Sequence, residues 1–209
     1  MKRSPIDGMA RAAGARFVEE GGWQVVQAGT AVAANGLVLT DQPARGKLFV
    51  KGMAAEGVLA AVWAVPALAI NQGVLIGEAA VYRLRPDLFL VNTAVAGETA
   101  VQAQLEAAIQ AQGGFVTVTD GTHGRFQFQL RGDKSPELLG RVCGLDFDDG
   151  QFPNLTAKQS SVANTAQIIL RQDDDQSRAY FLIGGRSLGV YVWQVLLQAG
   201  RDLGIMASP

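Results

Sequence analysis

The chain is short of the residues that most often carry chemistry. Its 209 residues include one cysteine and one histidine. A single thiol excludes an internal disulfide and any multi-thiolate metal site. Cys143 lies between Val142 and Gly144-Leu145 and is read as a small buried apolar residue. His123 stands in the turn-rich run Thr119-Asp120-Gly121-Thr122-His123-Gly124, where a solvated loop histidine is expected and a catalytic base is the alternative. Neither residue can build a zinc centre or a Ser/His/Asp triad without unusual partners. Basic residues are also scarce: the formal net charge is −1 and the pI about 5.8. Nucleic-acid binding needs clustered Lys and Arg to displace counterions, and Arg45, Lys47 and Lys51 alone make no phosphate track. No nucleic-acid partner is expected.

Long apolar runs are missing too. The most apolar stretch, Gly57 to Ile70, holds 14 residues with Pro66 inside it, short of the roughly 20 needed to span a bilayer. Met1-Lys2-Arg3 leads into Ser4-Pro5 and not into an apolar run, so no secretory signal is read. A cytoplasmic protein with no membrane partner is the expectation.

What the chain does have is apolar content, 48% of residues, enough for the core of one large domain. Ser4-Pro5 is a helix start, and Ile6, Met9, Ala10 and Ala13 recur at helical spacing up to Gly14, giving a helix over 5–14. Gly21-Gly22 breaks the chain before the extended Trp23, Val25 and Val26. Leu48 and Val50 alternate with Lys47, Phe49 and Lys51, predicting a strand with one wetter face. Gly52 closes it, and 53–65 reads as a buried helix. Strands over 79–84 and 88–92 are joined by Arg85-Pro86-Asp87. An amphipathic helix follows over 98–112, with Val101, Leu105, Ala108 and Ile109 on one face and Gly113-Gly114 as its stop.

The second half repeats these signals. A strand is expected over 115–118. Phe126, Phe128 and Leu130 then alternate with Gln127 and Gln129. Ser135-Pro136-Glu137 starts a helix to Val142, and strands over 167–171 and 179–183 flank the acidic turn Asp173-Asp174-Asp175. A closing helix over 187–203 should bury Leu188, Tyr191, Val195 and Leu196. Shifting 45–59 forward aligns Arg45 with Arg125, Val50 with Leu130, Gly52 with Gly132 and Leu59 with Leu139. A duplicated β-α-β-β-α unit is therefore expected, with pseudo-repeats at about 24–112 and 113–204 inside a single α+β domain spanning 1–209. Its hairpins imply mixed or antiparallel sheets. Gly184-Gly185 precedes a helix but lacks the third glycine and acidic partner of a dinucleotide loop. Asp146, Asp148 and Asp149 miss the calcium-loop spacing, so both acidic runs are read as solvated loop charge.

Several segments together resemble a known family. Gly14-Ala15-Arg16-Phe17 through Glu20-Gly21-Gly22-Trp23 is similar to the start of the glycine cleavage T-protein (aminomethyltransferase). Val38 to Lys47 followed by Val50-Lys51-Gly52 matches that family's Asp-Leu-Ser-His-Arg-Gly turn before a strand, keeping the Asp, Arg and Gly. Val118-Thr119-Asp120 with Gly124-Arg125, Cys143-Gly144-Leu145-Asp146, Phe152-Pro153 and Tyr191 to Trp193 look closer to the γ subunit of sarcosine oxidase. The resemblance implies a folate-binding domain of the aminomethyltransferase N-terminal type, with tetrahydrofolate as cofactor and one-carbon or methylated-amine metabolism as its setting.

It also points to site residues. The family's Asp-Asp-x-x-Val-Tyr segment, whose carboxylate can stabilise cationic character on the amine or iminium, corresponds to Gly77-Glu78-Ala79-Ala80-Val81-Tyr82. Glu78 takes the functional place with one extra methylene, and a misplacement of ~1 Å can cost catalysis about a hundredfold. Tyr82 and Asn92 fall at pocket-lining positions. The alternative is a surface Glu78 and a simply half-buried Tyr82. The family's pterin acceptor, in an Asp-Gly-Phe-Glu segment, corresponds to Phe181 in Arg178-Ala179-Tyr180-Phe181. Buried donors left unpaired cost about 1–3 kcal/mol, so Phe181 should weaken folate binding. A stacking role or a plain core residue are its two readings. The further C-terminal domain of the transferases and its arginine-bearing segment are not seen before Pro209. Three functions stay open: an accessory, non-catalytic protein with partner subunits or as a homo-oligomer; a tetrahydrofolate-binding one-carbon transferase using Glu78; or the same fold turned to another small ligand.

Overall fold

The computed structural model describes residues 1–27, 36–174 and 177–208; Asp175 of the acidic turn lies outside them. The described chain is rich in both strands and helices, and it divides into two compact units. The first comprises Met1–Pro43, His123–Asn154 and Lys158–Pro209, and the second Ala44–Thr122 with Leu155–Ala157.

The first unit opens with β1 (Lys2–Arg3), α1 (Asp7–Ala12), β2 (Phe17–Glu20) and β3 (Trp23–Val26). These strands form a small sheet ordered β1-β3-β2. The Ser4 hydroxyl accepts the Ile6 N–H at 3.1 Å, so the expected start signal acts there, and the helix itself begins later than 5. β4 (Val38–Asp41) belongs to a larger sheet described below.

The second unit is built from β5 (Arg45–Lys51), α2 (Ala55–Trp63), β6 (Gly73–Ile76), β7 (Ala79–Arg85), β8 (Leu88–Val95), α3 (Glu98–Gln112) and β9 (Thr117–Asp120). Its strands are ordered β6-β7-β8-β5-β9 and every pair is antiparallel. Successive strand residues face opposite sides. Leu48, Val50, Val81, Phe89 and Val91 therefore meet Ala55, Val58 and Leu59 of α2 and Leu105 of α3 in one core. The other parity carries Lys47, Ala80, Tyr82, Leu90 and Asn92, all fully buried. The wetter face expected for β5 is thus not wet at Lys47.

The first unit resumes with β10 (Arg125–Arg131), α4 (Ser135–Val142), β11 (Ala157–Val162), β12 (Thr165–Arg171), β13 (Ala179–Gly185), α5 (Gly189–Ala199) and β14 (Met206–Ser208). The six-stranded sheet is ordered β11-β12-β13-β10-β4-β14, with β14 parallel to β4 and β10 antiparallel to both β13 and β4. Its core is aromatic: Phe126, Phe128, Phe147, Phe152, Tyr180 and Trp193 pack with Leu39, Leu130 and Leu182. The closing helix is shorter than expected, with 3-10 turns at Arg186–Leu188 and Arg201–Leu203. It buries Val192, Trp193 and Leu196, while Leu188 and Tyr191 are exposed.

The two stretches follow the same element order: strand, helix, three strands, helix, strand. β5 and β10 stand at the expected offset, as do α2 and α4, which begin at Ala55 and Ser135. Gly52 and Gly132 both adopt positive φ, 147° and 122°, between them. There are three strands between the helices in each stretch, not two, because β6 and β11 join the expected hairpins.

Candidate functional site

The site residues expected from the 77–82 segment gather at one end of the second unit's sheet. Ile76 pairs with Ala79, so Gly77 and Glu78 form a two-residue hairpin turn. Gly77 supplies the φ of +57° that such a turn requires. The turn leaves the Glu78 side chain exposed.

Tyr82 is fully buried. Its ring lies over Gly73, its cross-strand partner; a Cβ at that glycine would come within 2.3 Å of the ring. The glycine therefore makes the space the aromatic ring fills. Asn92 pairs with Ala80 on one side and Lys47 on the other, and donates its amide to the Gly46 carbonyl at 2.8 Å.

That carbonyl belongs to an irregularity in β5, where the register shifts between Arg45 and Lys47. Gly46 is required here because a Cβ would fall 2.2 Å from Thr93 Oγ1 and 2.8 Å from Glu98 Cβ. The bulge re-aims its neighbours. The ammonium of the fully buried Lys47 donates back to the Arg45 carbonyl at 2.6 Å. Its own N–H donates to Thr122 Oγ1 at 3.0 Å, and its carbonyl accepts from Gly121 N–H at 2.8 Å. A buried ammonium is tolerated only with such partners. Glu98 lies buried in the first turn of α3, where the helix N-terminus favours a carboxylate.

Arg45, half-buried at the start of β5, completes the group. Burial pushes its guanidinium below its ordinary value, while Tyr82 and Glu78 act in the opposite direction. Those opposing influences place Arg45 within electrostatic reach of both expected site residues. Its sequence signal is the Arg-Gly pair shared with the family turn. The cluster offers an arginine, a buried lysine, an amide, a phenol and one exposed carboxylate. The chain's one histidine and one cysteine fall in the other unit.

Phe181 lies in the first unit, on β13, and is buried. It pairs with Gln129 of β10 and Leu170 of β12. Its side chain carries no hydrogen-bond acceptor. The structure therefore brings Glu78, Tyr82 and Asn92 together within one unit and sets Phe181 in the other.

The acidic runs are not free loop charge, which corrects the expectation. Arg171, buried on β12, donates from Nε and one terminal nitrogen to Asp173 and from the other to Asp149 and the Phe152 carbonyl, at 2.6–3.1 Å. Its guanidinium carbon lies 5.7 Å from the Tyr180 ring centroid. Asp149 also pairs with Arg178, and Asp174 with Arg131, each at 2.6 Å. The hydrogen bond from Arg171, followed by that from Arg178, holds the Asp149 carboxyl below its ordinary value. Arg171 is in turn raised, first by its hydrogen bond to Asp173. With every nitrogen engaged, this guanidinium is a structural fastener. Cys143 is buried as expected. His123 is exposed, its ring 5.5 Å from Trp23. Among the described residues no cluster of three His, Cys, Asp or Glu could hold a metal ion, and no helix is long and apolar enough to cross a membrane.

Comparison with known proteins gives one consistent result. The family model described as the GCVT N-terminal domain matches residues 6–208. An aminomethyltransferase of Leptospira biflexa is 21% identical over 99% of this chain, and the chain spans 60% of the length of that relative. Among solved structures, the glycine cleavage system aminomethyltransferase T of Bartonella henselae superposes with a TM-score of 0.78 at 19% identity. That match covers 99% of this chain and 59% of that one. A chain of heterotetrameric sarcosine oxidase from Corynebacterium sp. U-96 superposes at 0.74 and 20% identity, covering 100% of this chain and 99% of that one.

Proposed function

Because the chain belongs to the family of the GCVT N-terminal domain, with an aminomethyltransferase-like, sarcosine oxidase-like folate-binding fold, we propose that it is an accessory, non-catalytic member acting in one-carbon or methylated-amine metabolism. The observation that carries this reading is the placement of Glu78. A carboxylate that stabilises developing positive charge acts where water is excluded, and Glu78 is exposed on a hairpin turn. Phe181 supports the same reading. A pterin ring presents amino and N–H donors, and Phe181 offers no acceptor where the family resemblance calls for one. The residues present do not fit a tightly held pterin. In this reading the chain is cytoplasmic, works with partner subunits as the sarcosine oxidase chain does in its heterotetramer, and forms one domain over 1–209. The repeated element order is the trace of a duplication, with pseudo-repeats near 24–112 and 113–204.

A second reading, a tetrahydrofolate-binding one-carbon transferase using Glu78, is favoured by Arg45 lying within electrostatic reach of Glu78 and Tyr82. Calorimetric titration with tetrahydrofolate, beside Glu78→Ala, separates the two. No heat of binding at near-millimolar ligand is expected for the accessory protein. Saturable binding that collapses in Glu78→Ala would overturn it in favour of the transferase. Binding indifferent to Glu78→Ala would move the ligand site elsewhere and point to the fold's use for another small ligand.

A further inference from the structure

The turn beside Arg171 contains a bond able to rewrite its own backbone. The chain has three Asp-Gly pairs, Asp7-Gly8, Asp120-Gly121 and Asp149-Gly150. In such a pair the glycine amide nitrogen can attack the aspartate Cγ, since no Cβ shields it. A C–N bond forms, the amide proton and a carboxyl hydroxyl leave as water, and a cyclic succinimide results. Water then reopens the ring, and its addition at the α-carbonyl leaves isoaspartate, whose backbone runs through the former side-chain carbon. The water lost in the first step is returned in the second, so no other reactant is needed.

Two of the pairs are closed to this step by the fold. Asp7 opens α1, its side chain is 10% exposed, and both its oxygens accept from Arg11. At the second pair the attacking nitrogen is tied into the backbone, because Gly121 N–H donates to the Lys47 carbonyl at 2.8 Å. Asp120 Oδ1 accepts the Thr122 N–H at 2.8 Å. Gly121 is also packed against Phe49, whose ring a Cβ would approach to 2.7 Å.

Asp149-Gly150 differs in each respect. Its carboxylate side chain is 59% exposed. Among the described residues the Gly150 N–H makes no hydrogen bond, and a Cβ at Gly150 would meet nothing within 4 Å. The nucleophile is free and its surroundings are open, in a loop that opens more easily than a helix or a sheet. What restrains the pair is the carboxylate itself. Arg171 donates to Oδ1 and Arg178 to Oδ2, each at 2.6 Å. With both oxygens engaged the group stays ionised and is held off the nitrogen. Arg178 is the more exposed latch, 38% against 6% for Arg171, and so the weaker one.

We propose that Asp149-Gly150 is a site of spontaneous succinimide and isoaspartate formation, latched by Arg178 and Arg171, and that its conversion undoes one tie of the buried Arg171. In the isoaspartyl form the carboxylate stands on one fewer side-chain carbon and the backbone is one carbon longer. The two arginines are then no longer reached together, and Arg171 keeps Asp173 and the Phe152 carbonyl alone.

The test is incubation of the full chain for weeks at physiological temperature in water enriched in heavy oxygen, followed by tryptic mapping with mass spectrometry. Each ring opening leaves one heavy oxygen, and the peptide 142–158 holds a single Asp-Gly pair. Asn35-Gly36, whose asparagine lies outside the described residues, is read in a separate peptide. Label and isoaspartate are expected at Asp149 ahead of Asp7 and Asp120. Arg178→Gln should raise the rate at Asp149 at least ~3-fold. Gly150→Ala, whose methyl group has open space, should lose the label while melting with the parent. Converted protein, separated by ion exchange, should melt earlier than unconverted protein. No label at Asp149 in either the parent or Arg178→Gln overturns the proposal, as does conversion at Asp7 or Asp120 first, or Arg178→Gln reacting at the parent's rate. Converted protein that melts with the parent overturns the link to Arg171.

Discussion

The two units bury a cation in contrasting ways. In the first, the Arg171 guanidinium is enclosed by carboxylates from two separate loops and by the Phe152 carbonyl. In the second, the Lys47 ammonium is turned back onto the carbonyl of a residue two positions earlier in its own strand. A planar guanidinium satisfied by carboxylates joins distant segments. A compact ammonium bonded to local backbone shapes one strand and thereby aims its neighbours. One cation holds the fold, and the other shapes the candidate site.

Arg171→Leu should break the first arrangement with the largest effect. It removes the buried donor of Asp173 and of the Phe152 carbonyl, while the exposed Asp149 keeps water and Arg178, and lost hydrogen bonds to a charged group cost about 1.5–3 kcal/mol. Thermal unfolding should then show a melting temperature lowered by roughly 5 °C or more. Lys47→Met should be milder, about 1–2 kcal/mol, since an apolar side chain of similar length fills the space where the ammonium donates to the Arg45 carbonyl. Denaturant unfolding of the two variants checks that order, and a Lys47→Met cost equal to that of Arg171→Leu would erase the contrast.

Acid sharpens it next. The Asp149 carboxyl is held below its ordinary value by Arg171 and Arg178. Its contribution to stability is therefore present above the ordinary carboxylate value of about 3.9 and is lost as pH falls through the lowered one. Melting temperature followed from about pH 7 to about pH 3 should decline at the acid end, and less so in Asp149→Asn. The smallest effect is expected at Glu78. Exposed on its turn, it should change stability by no more than about 0.5 kcal/mol on replacement by alanine. Any effect of Glu78→Ala on ligand binding can then be attributed to the site.

How much of this was legible in the sequence varied with the kind of signal. α3 spans Glu98–Gln112 and α4 Ser135–Val142, as periodicity and start signals indicated, because a glycine pair or a Ser-Pro marks their ends. β6 and β11 went unread. β6 has four residues beginning with glycine, and β11 is mostly polar with its side chains alternately covered. The face of α5 was misread because the helix is apolar nearly all round, Val190 to Leu197 holding one polar residue, so periodicity could not choose which residues go inside. Lys47 looked wet because alternation assumes one solvated sheet face, and here both parities of β5 are buried at that point. The acidic runs looked solvated because their partners are remote: Arg171 stands 22 residues from Asp149 and Arg131 stands 43 from Asp174. Of the site, Glu78, Tyr82 and Asn92 were named from family resemblance, while Arg45 needed the bulge at Gly46 to be seen beside them.

The Arg171 fastener also bears on how the polypeptide would respond to being cut. The turn at 148–151 is exposed, as a protease requires, yet Asp149 and Phe152 are both tied to β12 by one side chain. Phe147 and Phe152 sit in the aromatic core on either side of that turn. Cleavage there would sever the backbone and leave both new ends anchored. The two fragments should migrate together under native conditions and separate only in denaturant.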